Sequence, residues 1–459
     1  MQLSHDYAEH LPQLVRLSQG EEQPDPHLLF LNEPLALELG FDPGWLRSPA
    51  GLDLLLGHDT AHAMAYSGFQ FGQFNSYMGD GRALLLGEAR VGDDFLDLHA
   101  KGTGLTPFSR PGSDGRATLS SILREYLVSE AMHALGVPTT RGLAVISTGR
   151  KIQRGHVRPA GVGVRVAASH LRVGTFHYAQ LGDGTNQLQA LADYAISRHY
   201  PAAIKSENPY KEFFRLVVES QMRTVAKWQR LGFIHGVMNT DNTTISGQTI
   251  DYGPCAFMES YDLATVFSSI DNGGRYAYGN QPHILGWNLA RLAESLLPLF
   301  SSDLNEAVSF AQEVMDFFPE RFEEEMSAQW AAALDTTPEV FASYREALAR
   351  RQPDLTQAHR ALVAAVGDDS SLARELFDGE DFLSAYLSSE PSPKKVDDSF
   401  PRVIPRNRQL DAALKQAEAG DFGAYREMLE AVIHPWRPHP HFEEPDPTGL
   451  ADFMTFCGT

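Results

Sequence analysis

Only two cysteines, Cys255 and Cys457, occur in 459 residues, too few for a disulfide scaffold or a cysteine-based zinc cluster. Long apolar runs are missing as well. No uninterrupted stretch approaches the ~18 residues that span a bilayer, and the opening MQLSHDYAEHLPQLVRLSQG lacks the basic start and apolar core of a secretory leader. Positive charge is scarce: 38 Lys and Arg against 59 Asp and Glu leave a net charge of −21 and a pI near 5.2. A nucleic-acid backbone or an anionic membrane would be repelled by such a chain, which argues against either as its main partner. Any phosphate site must then be locally basic. With 43% hydrophobic residues and no long polar tract, the chain has the material for a large core. These absences predict a soluble, cytoplasmic protein built as one two-lobed catalytic unit with extensions.

The stretch HGVMNTDN at 235–242, followed by Asp251-Tyr252-Gly253, has the outline of a protein-kinase catalytic loop. Kinases carry H-R-D-x-x-x-x-N and then D-F-G, in which one Asp accepts a proton while the Asn and the second Asp hold magnesium. Here His235 and Asn242 keep the spacing, but Val237 stands at the base position and cannot accept a proton. Asp241 offers a carboxylate elsewhere, facing substrate, with Asn242 and Asp251 left for the metal. On its own an Asp-Tyr-Gly triplet is an ordinary turn. The flanks strengthen the case. Residues 212–231 repeat apolar side chains at helical spacing and stop at Gly232, and TTISGQTIDYG reads as a short hairpin about Ser246-Gly247 that delivers Asp251.

Upstream, YSGFQFGQFNSYMGDGRALLLGE reads as strand, glycine turn and strand. Gly79, Gly81 and Arg82 offer backbone N–H groups and a guanidinium to an anion, although Gly-Asp-Gly also makes a plain hairpin turn. Lys101, in DLHAKGTG, stands where a kinase puts its phosphate-pairing lysine. Residues 118–135 predict a helix that ends at Gly136-Val137-Pro138, and either Glu125 or Glu130 on it is available to pair with that lysine. Arg165 and Arg172, seven residues apart on a strand and its continuation, have the planar fork that clamps phosphates, as well as the usual alternative of surface ion pairs. Helical patterns fill 303–386, a Pro/Ser-rich stretch at 387–406 reads as a linker, and 409–433 reads as two helices around a Gly-Asp turn. The three histidines of the tail sit among prolines that deny them a helical ligand face.

Taken together, GDGRALLLGE, HAKGTGLTPFSR, DGRATLSSILREYLVSEAMHALGVPTTR, HGVMNTDN, IDYGPCAF, GRYAYGNQP and the terminal CGT resemble the selenoprotein O family, protein adenylyltransferases with a pseudokinase fold. The resemblance implies that ATP lies reversed relative to a kinase, so that AMP passes to an acceptor hydroxyl and pyrophosphate leaves. It implies roles for single residues too. Lys101 binds phosphate and pairs with Glu125, Asn242 and Asp251 hold Mg²⁺ (Mn²⁺ being the alternative), and Asp241 accepts the proton. Gly79, Gly81, Arg82, Asp114, Gly115, Arg165, Arg172 and Asp251 complete the nucleotide pocket, with both arginines on the phosphates. The segment between Lys101 and Asp114 is one residue longer than the family's usual form. No selenocysteine is present; Cys457 stands near the family's terminal redox position, which places a latch with Cys255 level with two unrelated thiols.

The fold class expected is α+β, a protein-kinase-like two-lobed fold with a β-rich N-lobe carrying a regulatory helix and a helical C-lobe. Expected boundaries are 1–60 for an N-terminal extension, 61–185 for the N-lobe, 186–386 for the C-lobe and 387–459 for linker, helical hairpin and tail. Expected partners are ATP and protein substrates bearing Ser, Thr or Tyr hydroxyls, with no nucleic acid and no membrane. Conventional phosphotransfer and a nucleotide-binding scaffold are the competing functions.

Overall fold

The computed structural model describes residues 3–182, 185–379, 381–450 and 452–456. The first half of the chain is organised by an antiparallel sheet and the second by helices. The strands are β1 (Val15–Ser18), β2 (His27–Leu31), β3 (Ala61–Gln70), β4 (Gln73–Gly79), β5 (Ala83–Val91), β6 (Asp94–Lys101), β7 (Ala117–Thr118), β8 (Arg141–Arg154) and β9 (His156–Ala167). Their order is β1-β3-β5-β6-β9-β8-β2, with β4 paired to β3 and β7 to β9. The first 60 residues thus supply both ends of that order, β1 and β2, and are woven into the sheet.

Register sets up the chemistry. His99 lies opposite Arg165, and Lys101 opposite Gly163. Paired residues share a face, as do residues two apart on one strand, so His99, Lys101 and Arg165 all project from the same face. Across that face runs the helix Leu119–Ala134, begun by Thr118, whose side chain accepts from Ser121 N–H. Its burial is not confined to one stripe, because sheet strands pack on one side and the helices Asn407–Glu418 and Gly423–Ile433 on the other. Glycine in β9 allows a close approach: a Cβ at Gly163 would stand 2.8 Å from Ile122 Cγ2. That closeness carries Glu125 to the sheet.

Beyond Val173 the chain is mostly helical. The helix Pro209–Leu231 starts on Asn208, whose side chain accepts from the N–H groups of Tyr210 and Lys211, and stops at Gly232 in the left-handed conformation. A two-stranded ribbon of β10 (Phe233–Ile234) and β11 (Ala256–Phe257) follows, and the HGVMNTDN loop lies between its strands. The hairpin expected about Ser246-Gly247 does not form. Thr249 instead bridges Thr139 in parallel, and Thr244 bridges Arg172, so other elements fasten this segment at both ends.

Residues 387–406 differ from the linker their Pro and Ser content predicts. Val396, Phe400, Val403 and Ile404 are buried and Pro393–Ser399 is helical; four apolar side chains spaced among the prolines decide the matter by entering the main core. The terminal helices are likewise part of that core. Tyr425 Oη donates to the Leu123 carbonyl at 2.8 Å, and Glu418 pairs with Arg158 at 2.9 Å. No helix among the described residues is long and apolar enough to cross a membrane.

Candidate active site

A cleft of about 450 Å³ opens between the sheet and the HGVMNTDN loop. A larger cavity of about 710 Å³, lined by aromatics such as Trp287, Phe318 and Trp330, contains none of the expected site residues. The smaller cleft is the chemical one, because charged groups converge there.

The loop is clamped from above. Phe69 N–H donates to Thr240 Oγ1 at 2.8 Å, and Phe71 N–H to Asn239 Oδ1 at 3.1 Å, so β3 and its turn hold the loop. From below, His235 bonds the Ile250 carbonyl at 2.8 Å, tying the start of the loop to the residue before Asp251. His235 is therefore a brace rather than a reactant.

Asp251 is the centre of the cleft. Its φ of 64° is a left-handed value rare outside glycine and tolerated by Asp. Three cations meet its carboxylate: Arg165 at 2.6 Å, Lys101 at 2.9 Å and Arg172 at 3.3 Å. Burial alone would raise its pKa, but Arg165, Lys101 and Arg172 outweigh burial and hold it well below the usual carboxylate range. Lys101 also pairs with Glu125. Geometry thus chooses between the two glutamates that periodicity left open, since Glu130 is taken by Arg141 at 2.8 Å.

Asp241 occupies one turn of 3₁₀ helix, Thr240–Asn242. Its Oδ1 is buried without a hydrogen-bond partner, and burial, opposed in part by Arg172, pushes its carboxyl up to about 6. An acid titrating there is ionised at neutral pH and still basic enough to take a proton. Asn242 Nδ2 donates to the Val237 carbonyl at 3.0 Å, which turns its own oxygen away as an acceptor for a cation.

Gly79, with φ of 148°, sits where a Cβ would stand 2.5 Å from Phe108 Cγ and 2.7 Å from the Met64 carbonyl oxygen. Gly79→Ala is expected to cost about 2–4 kcal/mol from overpacking and backbone strain together, read as a lower melting temperature with weaker ATP binding. Gly81 and Arg82 line the cleft. Asp114 and Gly115 do not, among the described residues: Asp114 is held by Arg154 at 2.6 Å, and Gly115 packs on Gly104.

Sequence reasoning passed over Asp80 and Tyr66, which also line the cleft. The Arg172 guanidinium lies 4.6 Å from the Tyr66 ring centroid and 3.8 Å from Asp80, and donates to the Asp241 carbonyl at 2.8 Å. Flanked by glycines, Asp80 reads as a turn residue; only the fold brings Arg172 to it.

The side-chain oxygens of Asn242 and Asp251 are hard donors of the kind that would suit a Mg²⁺-type ion completing its shell with water and substrate phosphate. No group of three or more His, Cys, Asp or Glu among the described residues is arranged to hold a metal. Cys255 is buried, and burial pushes its thiol up to about 11. Thr455 Oγ1 donates to the carbonyl of Pro254 at 2.6 Å, so the tail docks beside Cys255; Cys457 lies outside the described residues.

A carboxylate ringed by three cations, with a second acid of raised pKa in the same cleft, is equipment suited to moving a phosphate-linked group. The class is that of the nucleotidyltransferases. Residues 2–416 match the family described as "Protein adenylyltransferase SelO". A protein from Corynebacterium efficiens named protein nucleotidyltransferase YdiU is 48% identical, the match covering 99% of this chain and 95% of the relative. Proteins of the same name from a Mycobacterium species and from Mycolicibacterium smegmatis are 47% and 46% identical, over 100% and 99% of this chain and 99% and 97% of their own lengths. The chain belongs to the SelO family, and it is an enzyme of the nucleotidyltransferase class.

Proposed function

We propose that this chain is a protein adenylyltransferase that moves AMP from ATP onto Ser, Thr or Tyr hydroxyls of other proteins and releases pyrophosphate, working on a kinase-like, two-lobed frame. The observation that carries the reading is the meeting of Lys101, Arg165 and Arg172 on Asp251 with Asp241, whose pKa is raised and whose Oδ1 has no hydrogen-bond partner, in the same cleft. The N-lobe is residues 61–185 with β1 and β2 added from the lead-in; the C-lobe is 186–386, and the terminal helices brace the Leu119–Ala134 helix.

Asp241 takes the proton of the acceptor hydroxyl, and the freed oxygen attacks the α-phosphorus. The bond from that phosphorus to the bridging oxygen of pyrophosphate breaks, and Lys101, Arg165, Arg172 and Arg82 offset the charge of the departing group. Asn242 and Asp251 hold a divalent ion, Mg²⁺ or Mn²⁺, which when bound neutralises phosphate charge. Gly79 and Gly81 keep the cradle open to the phosphates. Asp114 and Gly115 belong to the same reading through the loop that borders the cleft, where Gly115 lets the backbone of Gly104 come close. The protein is read as cytoplasmic, and its acidic balance favours protein partners over nucleic acid or membrane. A latch between Cys255 and Cys457 belongs to the reading too. The docked tail supports it, and reductant is expected to raise activity.

The test supplies purified protein, Mg²⁺ and an acceptor protein with ATP labelled at the α-phosphorus in one reaction and the γ-phosphorus in another. Acceptor labelling from α alone is expected. Labelling from γ alone would make the enzyme a kinase, and labelling from neither, with reductant present, would make it a nucleotide-binding scaffold.

A further inference from the structure

Asp80 is a buried anion in the wall of a cleft read here as a polyphosphate site. It is 3% exposed, and a bare carboxylate there would repel the ligand and cost several kcal/mol to bury, so its partners have to justify it. Oδ2 accepts from Met64 N–H at 3.1 Å and from His99 Nε2 at 2.9 Å. His99 is itself fixed: it is fully buried and stacks on His170 with ring centroids 4.3 Å apart. His170 bonds Asp97 at 3.2 Å, and Asp97 pairs with Arg198 at 2.5 Å. This buried chain aims the other oxygen, Oδ1, at Arg172.

Arg172 therefore faces two carboxylates, Asp251 at 3.3 Å and Asp80 at 3.8 Å, while Lys101 and Arg165 share Asp251 alone with it. A divalent ion held on Asp251 would compete with these cations for that carboxylate. Lys101 has Glu125 to fall back on. We infer that Asp80 is the corresponding fallback for Arg172, a positioning residue that takes over the guanidinium when Asp251 is given to the metal and so lowers the cost of loading the site.

The inference rests on the reading of Asn242 and Asp251 as the metal pair. Its test measures ATP binding by calorimetry across a Mg²⁺ titration in the whole protein, as wild type, Asp80→Asn, Arg172→Gln and the double variant. Without Asp80, Arg172 stays on Asp251 and competes with the ion; the half-saturating Mg²⁺ is expected to rise about tenfold, as when an outer-shell partner of a metal ligand is lost. With Arg172 already replaced, Asp80→Asn is expected to change it less than about twofold, since nothing is left to hand over. A simple field effect of the carboxylate would instead give the same shift in both backgrounds, and that result, or no shift in either, overturns the inference. Should Asp80→Asn lose its cooperative thermal transition, His99→Gln replaces it. That variant leaves both charges and removes the ring that orients the carboxylate, and the same rise with Arg172 present and absence of a rise without it are required. If ATP binding by the wild type ignores Mg²⁺ altogether, it is the metal-pair reading that fails.

Discussion

Asp241→Asn is expected to abolish transfer and yet to stabilise the metal-free protein. As the proposed proton acceptor, Asp241 is expected to contribute about 10²–10⁴-fold to the rate, a role the amide cannot fill. Nucleotide binding is expected to be spared or slightly tighter, because a negative charge has left a phosphate site. The gain in stability follows from the same burial that makes the group useful. Its carboxyl titrates at about 6 in the folded protein against an ordinary 3.8, so the folded state holds the proton more tightly than the unfolded chain. Stability from this group is present below pH ~4 and lost as pH rises through 6, a cost of about 3 kcal/mol at neutral pH. Melting curves in chelator at pH 7.5 should show the variant more stable by about 1–3 kcal/mol, with the difference gone near pH 4. A variant that keeps transfer activity sinks the assignment of the base, whatever its stability.

What was legible in the sequence is what depends on spacing within one segment. His235 to Asn242, Asp251, Lys101 and the helix that carries Glu125 each sit in a local pattern whose chemistry is written in residue types. Periodicity could not choose Glu125 over Glu130, because both lie on a helix that is buried on more than one side, and only the partner across the gap decides: Lys101 for one, Arg141 for the other. Asp80 was illegible for a related reason. Its meaning lies in His99 and Arg172, residues 19 and 92 positions away, and a Gly-Asp-Gly triplet gives no sign that its side chain is buried.

The stretch 387–406 misled in the opposite direction. Proline and serine signal the absence of regular structure, but they do not signal exposure, and Val396, Phe400, Val403 and Ile404 carry that segment into the core. The hairpin expected before Asp251 failed because alternation records burial, not partner. Thr244 and Thr249 pair with Arg172 and Thr139, so the segment is fastened to two separate pieces of the chain, and both Arg172 and Asp251 are positioned by that fastening.

Asp251→Asn is expected to have the largest effect of any single change, and its signature is an inversion of the metal dependence. In the wild type the carboxylate occupies Lys101, Arg165 and Arg172, so ATP without metal must compete with Asp251 for cations. On the proposed reading, Mg²⁺ would relieve that competition by engaging the carboxylate. Replacing the carboxylate with an amide leaves buried Arg165 and Arg172 and the partly buried Lys101 without their shared anion, a loss of about 3–5 kcal/mol for breaking a buried pair, and the variant should melt well below the wild type in buffer alone. ATP in chelator should then raise its melting temperature more than it raises that of the wild type, because phosphate oxygens supply the missing negative charge and binding to the folded state alone stabilises it. Adding Mg²⁺ should bring no further rise, and AMP transfer should fall by about 10³-fold or more, as expected when aligned charge at the reacting phosphate is removed. An Mg²⁺-dependent increase in the variant as large as in the wild type would show that the metal sits elsewhere and that Asp251 serves only to gather the cations.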